Sequence, residues 1–273
     1  MDKLKAQRPL KSLVLCADDY AFNAPISQAV VTLATQGRLS ATSVMTLSPR
    51  WADDVSALRE VRDRLSVGVH LDWTSAFAIQ AGHGSSLGEV MARSVLNAYD
   101  KQKIKDEMHR QLDAFELHWH ETPDHIDGHQ HIQQFGVFRD ALADVLLSRY
   151  SSTTKRPWLR ISYMAQPGLK AQIISWMGAR ALHEWAIENS WPCVSPMQGA
   201  YGFDGQIADY ARHMKRWLAN APDANTSLLM CHPATSALAD DAIGAARERE
   251  FAYLASDEFA QHLSDAGVVL VRH

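Results

Sequence analysis

Short apolar runs alternate with amphipathic stretches from one end of the chain to the other, and this alternation narrows the available folds more than any other feature. Apolar runs of four to six residues bounded by turn signals read as buried strands, and 125–127 as a short strand end. They lie at residues 13–17, 42–47, 66–71, 125–127, 158–162, 226–230 and 268–271. Between them the apolar residues take helical spacing. In residues 24–36, Ile26, Ala29, Val30 and Leu33 share one face, and Gly37 is placed to stop the helix. Similar spacing predicts helices over 52–64, 104–119, 138–147, 169–189, 207–219, 242–254 and 257–266, the last with Ser256 as N-cap. Residues 72–86 are polar and glycine-containing and read as a long loop. Seven or eight βα units without a linker, repeat or charge block predict one α/β domain over residues 1–273, closed as a parallel barrel. An open dinucleotide-binding sheet lacks its fingerprint, because no G-x-G-x-x-G follows any of the strands.

Composition removes several classes of function. The chain has 273 residues, 47% of them hydrophobic, which excludes a disordered chain. Lysine and arginine number 27 against 31 acidic residues, a net charge of −4 that gives no basic face for nucleic acid. Three cysteines, Cys16, Cys193 and Cys231, are too few and too odd for a disulfide framework and fit a reducing compartment. No run is long enough for a signal-peptide core or a membrane span, so a soluble cytoplasmic protein is expected.

Four segments at the ends of predicted strands carry the chemistry: Ala17-Asp18-Asp19-Tyr20, Gly68-Val69-His70-Leu71, His125-Ile126-Asp127-Gly128-His129-Gln130-His131 and Cys231-His232-Pro233. In parallel α/β folds the carboxyl ends of the strands form the ligand-binding rim, so these segments are expected to converge. Each has a plainer reading in isolation. Asp18-Asp19 could cap the next helix, His70 could be a satisfied core residue, and His232 a polar loop residue. Three imidazoles and a carboxylate within seven residues are harder to explain by packing, with Gly128 expected to make a sharp turn. Together, one carboxylate and two imidazoles from three strand ends make a mixed N/O site for one divalent metal ion. The other aspartate and His232 then supply a base and an acid, an arrangement suited to metal-assisted hydrolysis. Spacing alone does not choose among His125, His129 and His131. No predicted strand is followed by a G-x-S-x-G elbow and there is no H-E-x-x-H, and Cys16 and Cys231 read as core residues.

These segments resemble the YdjC-like carbohydrate deacetylases, which include chito-oligosaccharide deacetylases and deacetylases associated with hopanoid biosynthesis. The resemblance runs from Leu13 to Val271. It rests on ADDY at 17–20, GRLSATSVM at 37–45, GVHL at 68–71, DHIDGHQH at 124–131 and CHP at 231–233, with weaker support from Arg247, Glu250, Leu254 and Gly267. It implies a TIM-barrel-like fold of the polysaccharide-deacetylase type, a divalent metal, Mg2+ or Zn2+, and removal of an N-acetyl group from an amino sugar. Carried over by position, it implies Asp19, His70 and His129 as metal ligands, Asp18 as general base and His232 as general acid. The chain departs from the family at Ala21, usually Gly, Ser27, usually Asn, Gln133, often His, and Gly136, often Pro. These departures bear on substrate shape more than on chemistry.

Tyr20, Trp73, His125, His131 and Arg160 are the candidate substrate contacts, with Tyr201 a further aromatic; each aromatic equally fits core packing. The expected partner is an acetylated amino sugar, and a homodimer is left open. The rival readings are another metal-dependent barrel enzyme, such as a sugar isomerase or a non-sugar amidohydrolase, and a catalytically silent sugar-binding protein.

Overall fold

The computed structural model describes residues 10–153, 155–163 and 178–273. Among them nine strands form one sheet: β1 (Lys11–Tyr20), β2 (Ala41–Val44), β3 (Ser66–Leu71), β4 (His125–Gly128), β5 (Trp158–Arg160), β6 (Cys193–Val194), β7 (Met197–Gln198), β8 (Ser227–Cys231) and β9 (Val268–Leu270). The order is β6-β5-β4-β3-β2-β1-β8-β7, with β9 beside the start of β1. Every pairing is parallel. The edge strands β6 and β7 are neighbours in sequence, and the Met197 amide donates to the Tyr163 carbonyl just past β5 at 2.9 Å. The result is a nearly closed barrel of eight parallel strands with helices, the (β/α) barrel that was expected.

Helices follow the strands: α1 (Ala24–Thr35), α2 (Trp51–Arg59), α3 (Ala76–Gln80), α4 (Leu87–Val95), α5 (Lys101–Trp119), α6 (Gly136–Tyr150), α7 (Arg180–Glu188), α8 (Ile207–Ala219), α9 (Gly244–Leu254) and α10 (Asp257–Ala266). Strand side chains alternate between two apolar layers, as period-2 geometry requires. Leu13, Leu15 and Ala17 join the large cluster under the helices. Val14 and Cys16 join a smaller one with Trp158, Met197, Leu228 and Met230, all from barrel strands. Burial on both faces is why β1 reads as a nearly unbroken apolar run.

The structure departs from the sequence reading in short elements. Residues 72–86 contain α3, capped by Ser75, and α4 follows directly, capped by Ser86. Of the helix expected over 169–189, residues 169–177 lie outside the described residues, and the remainder holds α7. β6 and β7 have two residues each, too few to show a period. Ser256 caps α10 as expected, accepting from the Phe259 amide at 3.3 Å. Among the described residues no helix is long and apolar enough to cross a membrane.

Candidate metal and catalytic site

Regular β geometry would send Asp18 and Asp19 to opposite faces of the sheet. The register of β1 against β2 breaks between Ala17 and Tyr20, and Asp19 takes a left-handed φ of 67°. That conformation is uncommon for a residue with a side chain, though Asp is among those that tolerate it. Both carboxylates thereby line one cleft of about 820 Å3. Ala17 is the register partner of Cys231 across β1 and β8, so His232, one step beyond, arrives beside Asp18. His232 Nε2 lies 3.7 Å from Asp18 Oδ2.

His70 and Asp127 are register partners across β3 and β4. The His70 Nδ1–H donates to Asp127 Oδ1 at 2.6 Å, which leaves Nε2 directed at Asp19 Oδ1, 3.4 Å away. Burial alone would lower the His70 imidazole, but the Asp127 charge and hydrogen bond, with Asp18 and Asp19, outweigh it and raise it to about 10. Asp127 Oδ2 accepts from Ser43 Oγ at 2.5 Å and pairs with Arg160 Nη1 at 3.1 Å. The same guanidinium donates to Asp18 Oδ1 at 2.6 Å. Arg160 is wholly buried, so it ties the two carboxylates together from inside the barrel.

After β4 the chain turns through Gln130 and His131, with φ of 54° and 62°. The sharp turn expected at Gly128 therefore lies two residues later. Gly128 is extended, and its lack of a side chain serves a close approach instead: a Cβ there would sit 2.9 Å from Gln133 Oε1 and 3.1 Å from the Gln133 nitrogen. The turn brings His129 Nδ1 to 3.1 Å from Asp19 Oδ1.

Asp19, His70 and His129 can thus each aim one ligand atom at a common point, the three atoms lying within 4.8 Å of one another. One carboxylate oxygen and two imidazole nitrogens, with Nε2 of His70 freed by the Asp127 contact, suit a divalent cation such as Zn2+. The second Asp19 oxygen is already taken: Arg247 Nη2 donates to Oδ2 at 2.7 Å. Burial works against ionisation of Asp19, but Arg247 and then His129 outweigh it and hold this carboxyl well below its ordinary range.

Helix α9 supplies two residues whose part the sequence did not reveal, Arg247 and Glu250. Arg247 also donates through Nε to Asp241 Oδ2 at 2.7 Å. The Glu250 carboxylate, 1% exposed, accepts the His232 backbone N–H at 2.6 Å and the Tyr201 hydroxyl at 2.7 Å. Burial lowers the His232 imidazole from its ordinary value, against the opposing pull of Asp18 and Glu250. Their helical pattern places Arg247 and Glu250 three apart on one buried face. Only the pairing of β1 with β8 shows that this face meets the site.

The expected substrate contacts divide. His131 lines the cleft, its Nδ1 3.1 Å from Ser162 Oγ, and Tyr201 lines it as well. The other four are not among the residues lining it. The Tyr20 hydroxyl donates to the Asp54 carbonyl at 2.7 Å, and its ring packs edge-on to Trp51. Trp73 is 2% exposed and packs against Phe138. His125 is buried within the barrel, stacked on Trp158 with ring centroids 4.3 Å apart, over a Gly68 whose Cβ would come within 2.3 Å of its ring. Arg160 is spent on Asp18 and Asp127. The apolar wall of the cleft comes instead from Phe22 in the turn after β1, Phe77 of the five-residue α3, and Leu87 and Met91 of α4. Of the departures from the family pattern, Ser27 satisfies the Ala21 amide through Oγ at 3.1 Å and donates to Asp54 at 2.6 Å.

A family model described as YdjC-like protein matches residues 12–265. No curated protein matches the chain. Among solved structures, a proposed cellobiose-phosphate cleavage protein from Enterococcus faecalis is similar, with a TM-score of 0.74 at 18% identity over 96% of this chain and 97% of that one. The catalytic domain of a peptidoglycan N-acetylglucosamine deacetylase from Eubacterium rectale is similar with a TM-score of 0.50 at 10% identity, over 100% of this chain and 92% of that one. At these identities the likeness is one of fold.

Proposed function

The chain belongs to the YdjC-like protein family, and from that premise we propose that it is a metal-dependent hydrolase that removes the N-acetyl group from an amino sugar or oligosaccharide. The observation that carries the reading is the asymmetric use of two adjacent aspartates. Asp19 faces two imidazoles, whereas Asp18 faces an arginine and His232.

Asp19, His70 and His129 would hold the cation, either Mg2+ or Zn2+. When bound, it supplies Lewis-acid chemistry, polarising a carbonyl and making water more acidic. Asp18 is the general base: it takes a proton from the water that attacks the acetyl carbon. Arg160 fixes the orientation of Asp18, so its free oxygen stays turned toward the cleft. His232 is the general acid, protonating the amine as the C–N bond breaks and acetate leaves. At 3.7 Å from Asp18, it is placed to receive the proton that the base removes. Both lie beside the acetyl group's expected position, an arrangement a silent binding protein would not need.

A neutral sugar suits the cleft. Among its described lining residues the only Arg or Lys is Arg247, already engaged by Asp19 and Asp241. A phosphorylated disaccharide, the substrate class in the name of the Enterococcus protein, would meet no free Arg or Lys among these described residues. The deciding experiment is acetate release from a panel of N-acetylated amino sugars, using protein stripped of metal and then reloaded. Turnover on at least one, lost on stripping and regained on reloading, is expected. A reloaded protein silent toward every acetylated sugar but active on a non-sugar amide would replace this reading with the amidohydrolase one.

A further inference from the structure

The two oxygens of Asp19 have different partners, and the second has no part in the chemistry described so far. Oδ1 faces His129 Nδ1 at 3.1 Å and His70 Nε2 at 3.4 Å. Oδ2 receives Arg247 Nη2 at 2.7 Å. Arg247 is 4% exposed and anchored at its other side by Asp241. Its backbone carbonyl also accepts the Ala234 amide at 3.1 Å, which ties it to the loop that carries His232. The guanidinium is therefore held rigidly against a carboxylate that is 1% exposed.

We propose that Arg247 is a positioning residue that restricts Asp19 to one free oxygen and keeps the affinity of the site for a divalent cation low. The inference rests on the ligand set Asp19, His70 and His129. A carboxylate with both oxygens free can bind a cation through both. With Oδ2 bridged to a guanidinium, only Oδ1 is presented. The fixed positive charge also repels a second cation only one carboxylate away, and in a buried site that repulsion is weakly screened. The net charge of the centre is correspondingly more positive, which favours an attacking water that gives up its proton readily and a carbonyl oxygen that gains negative charge. Arg247 thus trades metal affinity for electrophilic strength.

Simple damage to the site would weaken metal binding, so the direction of the change separates this role from a merely structural one. Co2+ is titrated calorimetrically into stripped wild-type protein, Arg247→Met and Arg247→Lys, with circular dichroism as the check on folding. Removing the charge in Arg247→Met is expected to tighten Co2+ binding by about tenfold or more. Arg247→Lys keeps the charge but cannot span Asp19 and Asp241 together, and a smaller tightening is expected. At saturating metal, kcat should fall in both variants while KM changes little. Unchanged or weaker Co2+ binding in whichever variant folds overturns the inference. The titration needs no substrate. Wild-type protein that binds Co2+ but hydrolyses no acetylated sugar would therefore defeat the deacetylase reading and leave this one standing, whereas wild-type protein that binds no divalent cation would defeat both.

Discussion

One backbone angle separates the two aspartates and gives them different surroundings. The left-handed φ of Asp19 lets consecutive carboxylates share a cleft, which no count of residue types could reveal. The sequence put Asp18, Asp19, His70, His232 and the histidine run 125–131 on one expected rim, because the ends of parallel strands converge, and only the family resemblance singled out His129 within that run. It did not show that His125, in the same run, faces the barrel interior. There the ring is buried and desolvated, and its imidazole is pushed down from 6.5 to about 4. The unfolded chain therefore binds this proton at a higher pH than the folded one. The contribution to stability is complete above pH 6.5 and is lost as the pH falls toward 4, by about 3 kcal/mol in all. Urea unfolding at several pH values should show a shallower slope over that window in His125→Gln than in the wild type. Equal slopes would mean that the ring is protonated or solvated in the folded state. The contrast between His125 and His129, four residues apart, was hidden because His125 opens β4 whereas His129 lies just past its end, a boundary that residue type does not mark.

At the scale of elements, helix α9 connects the two halves of the site. Arg247 reaches Asp19, and Glu250 reaches the backbone of His232. Glu250→Gln keeps the shape but presents one acceptor oxygen where the carboxylate offers two, so the His232 amide and the Tyr201 hydroxyl compete for it. His232 should then sit less accurately for proton delivery. An acetamide, whose amine leaves poorly, should lose about tenfold in kcat, a part of what general acid catalysis contributes. An activated acetate ester such as 4-nitrophenyl acetate, whose leaving group needs no proton, should lose far less. Equal losses on both substrates would assign Glu250 to overall packing. The long helices were legible from periodicity, because each presents several turns, and the buried strands from their short apolar runs. α3, β6 and β7 were not, because five or two residues carry no period. α4 is longer but mostly exposed: only Val90 of its nine residues is buried.

Among the described residues the strands make a nearly closed parallel barrel, and the proposed function depends on two of its pairings. β8 must lie beside β1 for His232 to reach Asp18, and β3 beside β4 for Asp127 to orient His70. The order of βα units along the sequence made the barrel readable before any contact was known. The charged links across its interior were not readable, since Arg160 joins residues from β1 and β4 that lie far from it in sequence. These links lead to the division of labour on which the functional reading rests. The most direct test is hydrolysis of an N-acetylated amino sugar by wild type, Asp18→Asn and Asp19→Asn across a metal titration. Asp18→Asn should bind metal normally and lose about 10²–10⁴-fold in kcat at every metal concentration, the effect of removing a general base. Asp19→Asn should need more metal and recover part of its activity at high concentration, because a lost ligand is a binding defect that mass action offsets. A fully active Asp18→Asn enzyme, or the same metal dependence in both variants, would show that the two aspartates do not divide the work in this way.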